Sequence, residues 1–216
     1  MISNIECKAL RLSICLIVML ISVLSVPYAN AGDHAKALKF IEDGNAQFDK
    51  GVVEANAKTG EQVQYFREAI SQYESAIAEA PDLVESHFNK GLAIIWLNRC
   101  AGYNNDDKAN ESAACFKKAL EVAPDCAEAL YCTAQAYFEI VCHAFAKQSH
   151  PTVYENAKDK ALSTIADLQQ RFPASQAATL ANKLKADIEY HDKTDVVTAV
   201  RQGRQFQPIY PRWGSK

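Results

Sequence analysis

The stretch from Ser112 to Phe138, SAACFKKALEVAPDCAEALYCTAQAYF, leaves the chain few ways to fold. Ser112, Phe116, Ala119 and Leu120 recur at the three- and four-residue spacing that puts side chains on one face of a helix. Pro124 ends that helix, because it has no N–H to donate and disfavours helical geometry at Ala123. Asp125 directly after it is placed to cap the next helix. Ala127, Leu130, Ala134 and Tyr137 then make a second apolar stripe, with Ala134 small enough to let a neighbouring helix come close. The result is a helical hairpin with a small-residue seam.

The same grammar occurs around Pro81, in AISQYESAIAEAPDLVESHFNKGLAIIWL, where Ala69, Tyr73 and Ala76 match Ser112, Phe116 and Ala119, and Gly91 matches Ala134. It occurs again around Pro173, in ALSTIADLQQRFPASQAATLANKLKA, with Ala161, Ile165 and Leu168 in the corresponding places. Residues 33 to 192 are covered by this pattern, which resembles the tetratricopeptide repeat (TPR) family, with its small residues, aromatics and terminal proline at fixed positions. Family units repeat every ~34 residues, whereas Pro81 and Pro124 stand 43 residues apart, and Pro124 and Pro173 stand 49 apart. Register places the extra residues between the two helices of a unit, at Gly51–Gln62, Arg99–Asn110 and Cys142–Thr152. Asn104 to Asp107 and His150-Pro151 are loop-like, so lengthened helices joined by long turns are expected there.

The expected helices are Asp33–Lys50, Gln62–Ala80, Pro81–Arg99, Asn110–Ala123, Pro124–Lys147, Thr152–Phe172 and Ala174–His191. The last has Lys183 where earlier copies carry Gly or Ala, as suits a capping helix with no neighbour on one side. The resemblance implies an all-α, right-handed stack of about three TPR-like hairpins with lengthened helices, closed by that C-terminal cap. The domain plan is residues 1–31 as a signal peptide, 32–192 as the repeat domain and 193–216 as a basic aromatic tail.

The first segment carries Lys8 and Arg11, then an apolar run from Leu12 to Val26, Pro27, and Ala29-Asn30-Ala31 before Gly32. That is the layout of an export signal cleaved after Ala31, and the run is shorter than the ~20 residues that span a bilayer. An uncleaved N-terminal anchor is the rival reading. Cleavage removes Glu6, Lys8 and Arg11 and leaves 21 basic and 25 acidic residues, a net charge of −4. An acidic balance argues against a general nucleic-acid binder, which needs a basic face for phosphates.

In TPR proteins the first helix of each unit lines a concave groove. By register, the first unit places Leu38, Ile41, Glu42, Asn45, Phe48 and Asp49 there. The second places Glu85, Phe88, Asn89, Leu92, Ile95 and Trp96, and the third Glu128, Tyr131, Cys132, Gln135, Phe138 and Glu139. The implied binding residues are Ile41, Asn45, Phe48, Phe88, Asn89, Leu92, Trp96, Tyr131, Gln135 and Phe138, with an acidic edge. Phe88, Trp96, Tyr131 and Phe138 are the expected anchors, and the alternative is that these aromatics are core. Asn45 and Asn89 fall on the two Asn positions of the carboxylate-clamping members. Ile41, Glu128 and Cys132 occupy the positions that should be basic, so a carboxylate clamp is rejected.

The implied role is an exported, periplasmic or secreted scaffold that binds a protein or peptide in an envelope complex; the RFPAS unit ending resembles bacterial periplasmic members. The alternative is a membrane-tethered structural subunit that meets its partner through the convex face or the turns. Membrane contact is expected only through an uncleaved N-terminus or the tail.

Five cysteines remain after cleavage: Cys100, Cys115, Cys126, Cys132 and Cys142. Export permits disulfides, and Cys100–Cys142, near one level on adjacent helices, is the expected bridge. There is no CxxC, HExxH or Gly-rich phosphate loop, so no enzyme activity, cofactor or metal site is expected. From Val196 to Lys216 the tail carries Arg201, Arg204, Arg212 and Lys216 without an acid, beside Phe206, Tyr210 and Trp213. It reads as a disordered end, as a strap on the acidic stack, or as a contact for an anionic partner.

Overall fold

The computed structural model describes residues 31–57, 60–101, 105–146 and 151–191, and among them there are seven helices and no strand. They are α1 (Ala31–Ala57), α2 (Gln62–Glu79), α3 (Val84–Cys100), α4 (Asp106–Val122), α5 (Ala127–Ala146), α6 (Pro151–Arg171) and α7 (Gln176–His191). Of the expected signal only Ala31 falls within the described residues, and the tail 193–216 lies outside them.

The three proline corners are built alike. The residue before each proline donates its N–H back one helical turn: Ala80 to Ala76 O at 2.9 Å, Ala123 to Ala119 O at 2.8 Å and Phe172 to Leu168 O at 2.8 Å. The residue two after each proline donates to the residue before it: Leu83 to Ala80 O, Cys126 to Ala123 O and Ser175 to Phe172 O. The next helix therefore starts at a fixed offset from the proline. Asp125, expected as a cap, sits one residue too early, in the turn. At the third corner Ser175 Oγ does accept the Ala178 N–H, at 3.0 Å.

Each helix packs on the next, and α1 also touches α3, α3 touches α5, and α5 touches α7. The odd-numbered helices thus contact one another in succession, α1 to α3 to α5 to α7. Glycines set close approaches between partner helices of a hairpin unit. A Cβ at Gly44 would lie 2.7 Å from Tyr73 Cε1, and one at Gly91 would lie 2.7 Å from Phe116 Cε1. Ser112, fully buried, donates to Gly91 O at 2.9 Å, tying α4 to α3 at that crossing. Tyr73, Phe116 and Ile165, equivalent by register, are all buried in the core.

The extra residues between hairpin partners go mainly into helix. α1 runs past Gly51 to Ala57, because Gly51 is a packing residue: a Cβ there would lie 2.8 Å from Phe66 Cε1. α5 likewise continues to Ala146. Asn105 caps α4, its side chain accepting from the N–H groups of Asp107 at 2.9 Å and Lys108 at 3.1 Å.

Candidate binding face

The odd-numbered helices carry the candidate site. At its α1 end is a pocket of about 370 Å³ lined by Leu38, Ile41, Glu42, Asn45, Ala46, Asp49 and Glu85. Leu38 is half exposed there, an apolar side chain held in water beside three carboxylates. Asn45 organises the floor. Its Oδ1 accepts from Tyr73 OH at 2.8 Å and from Asn89 Nδ2 at 3.1 Å, and its own amide donates to Glu85 Oε1 at 3.4 Å. Two donors on one oxygen fix the amide orientation. Asn89 is fully buried, so it supports the floor from beneath.

The aromatic residues assigned to the groove pack closely against other side chains. Phe48 meets Phe66 edge-on at 5.7 Å, Trp96 stacks on Phe66 at 5.6 Å, and Phe88 meets Phe116 edge-on at 5.4 Å. Phe48, Phe88, Leu92, Tyr131 and Phe138 belong to the main hydrophobic cluster, and Trp96 packs against it. Of the residues that register places along the groove, the pocket brings together Leu38, Ile41, Glu42, Asn45, Asp49 and Glu85.

Along α5 the same face is polar but buried. Glu128, Cys132, Gln135 and Glu139 follow one another at intervals of three and four residues, and the last three are at most 3% exposed. Arg99 of α3 reaches across to Glu139 Oε1, at 2.8 Å from Nε and 2.5 Å from Nη2. Burial pushes the Glu139 carboxyl above its ordinary range and Arg99 opposes that shift. Gln135 Oε1 and Glu139 Oε2 are buried acceptors with no hydrogen-bond partner among the described residues. On the next turn His143 pairs through Nδ1 with Asp106 of α4. Sequence reasoning did not find the Arg99–Glu139 pair, although a single acid within the apolar run from Tyr131 to Ala144 is a signal that a cation must come to meet it.

The expected Cys100–Cys142 bridge is not formed: Cys100, Cys115, Cys126, Cys132 and Cys142 are all free thiols. The reason is angular. Successive helix residues point about 100° apart, and Arg99 faces α5, so Cys100 is turned away from it. Burial raises the Cys115 thiol to about 11 and Cys126 to about 12, and holds Cys132 and Cys142 well above the usual thiol range. These thiols are therefore poor nucleophiles at neutral pH. Alkylation after unfolding without reductant should label all five, and reductant should leave the melting temperature unchanged; a melting temperature lowered by reductant would mean a bridge forms.

No protein-family model matches the chain, and neither does any curated protein sequence.

Proposed function

We propose that this chain is an exported TPR-like scaffold whose odd-numbered helices form the concave face of a right-handed stack and bind a protein or peptide there. The observation that carries this reading is the pocket at α1 and α3. It combines an exposed Leu38, an oriented Asn45 amide and the carboxylates of Glu42, Asp49 and Glu85. Such a site suits a segment with one apolar side chain flanked by basic ones, because the apolar contact supplies affinity and the carboxylates supply steering and register. The three identical proline corners and the glycine crossings support the repeat reading.

The internal packing of Phe48, Phe88 and Trp96 favours a second reading, a structural subunit that meets its partner through the even-numbered helices or the turns. A Leu38→Lys/Glu42→Lys variant separates the two, since both residues are exposed and their replacement leaves the core intact. Capture from an envelope extract should yield at least ten-fold less of the partner with the variant than with the native chain. Equal capture by both would reject the pocket and favour the structural subunit.

A further inference from the structure

The buried polar stretch of α5 holds two acceptor oxygens that meet no donor among the described residues, and the chain carries a segment rich in donors. Among the described residues Gln135 Oε1 and Glu139 Oε2 have no hydrogen-bond partner, although their residues are 2% and 3% exposed. A buried acceptor without a donor costs ~1–3 kcal/mol, so two on one face mark a place where donors belong. The helices that pack on α5 are α4, α6 and α7, with α3 touching it lightly. Beyond the described helices, the stretch from Arg201 to Trp213 holds three arginines, a tyrosine, a tryptophan and no acid.

We propose that this basic aromatic segment, Arg201 to Trp213, is the resident ligand of the odd-helix face, its guanidinium and indole N–H groups donating to Gln135, Glu139 and the carboxylates at the rim. The proposal rests on the reading of this face as a peptide-binding one, and it makes the tail a competitor for any external partner. Charge complementarity supports it: Glu42, Asp49 and Glu85 line the pocket and Glu128 lies in the first turn of α5, and all four carry the sign opposite to that of the arginines in 201–213. Reach supports it as well. The 25 residues after His191 extend to roughly 80 Å, whereas a row of four helices 8–10 Å apart spans about 30 Å. The starting point is also right, because Asp187, near the end of α7, lies close enough to Cys142 of α5 to bias its thiol, and Cys142 is one turn from Glu139.

The test uses Cys132, which sits on the α5 face between Glu128 and Gln135 and is fully buried. In the full chain, an Arg201→Glu/Arg204→Glu/Arg212→Glu variant should expose Cys132 to a neutral thiol reagent and raise its labelling rate at least ten-fold. Labelling of Cys115, on α4, should stay as in the native chain and so exclude general unfolding. A synthetic peptide of native sequence 199–216 should restore protection. Cys132 protection that survives the charge reversal overturns the proposal, as does protection that varies with protein concentration, which would mean a second copy covers the face. A pocket variant that loses its partner while the tail variant keeps Cys132 protected leaves the partner site standing and removes the tail from it. The opposite pair of results keeps the tail and removes the external partner.

Discussion

Replacing Arg99 with methionine should destabilise the protein by about 3–5 kcal/mol at neutral pH, the range for leaving one member of a buried ion pair without its counter-charge. At about 2–4 °C per kcal/mol for a domain of this size, the melting temperature falls by roughly 6–20 °C. Glu139 accepts both Arg99 bonds on one oxygen, and that carboxylate is almost wholly buried, so no water can replace the guanidinium. The pH dependence follows from the direction of the shift. Burial raises the Glu139 carboxyl in the folded state, so the folded form holds that proton more tightly than the unfolded chain does. Stability from this group therefore falls as pH rises through and above the ordinary carboxylate range. Without Arg99 to oppose the shift, the dependence steepens, and Arg99→Met should gain stability when acidified from pH 7 toward pH 5. Adding Glu139→Leu should recover most of the loss and flatten that profile, because an apolar pair needs neither charge. Urea unfolding of the three variants at pH 5 and 7 measures both effects, and a pH-independent loss in Arg99→Met would show that Glu139 is not the group left uncompensated.

The hairpins could be read from the chain because proline acts locally. Pro81, Pro124 and Pro173 each end a helix through a missing donor and a restricted neighbour, and neither effect depends on what packs nearby. The face was harder to read. Register placed Leu38, Ile41, Glu42, Asn45, Asp49 and Glu85 together, and the structure has them around one pocket. Register assigns a direction but not what fills it, so the ring contacts of Phe88 with Phe116 and of Trp96 with Phe66 were not legible in the sequence. Gly51 was misread for a related reason. Glycine suits both a turn and a close approach, and only the position of Phe66 distinguishes them. The cysteine pairing failed because equal height along two helices leaves the rotational angle unspecified.

The α1–α2–α3 junction offers the second large effect. Phe66 is fully buried, with Phe48 edge-on, Trp96 stacked upon it and Gly51 against its ring. Phe66→Ala should cost about 3–5 kcal/mol, the transfer term plus the cavity left among side chains that cannot collapse onto one another. Gly51→Ala in the native chain should also destabilise, by about 1–3 kcal/mol, because the new methyl would overlap Phe66 and the ring is held on both sides. In the Phe66→Ala background the same methyl enters vacated space, and alanine's better helix propensity, about 1 kcal/mol over glycine, makes Gly51→Ala stabilising there. The substitution thus changes sign between backgrounds, and a double-mutant cycle reads the difference as a coupling energy of about 2 kcal/mol or more. Equal effects in both backgrounds would mean that the last turns of α1 do not pack on α2, and that the chain beyond Gly51 is the long turn its sequence resembles.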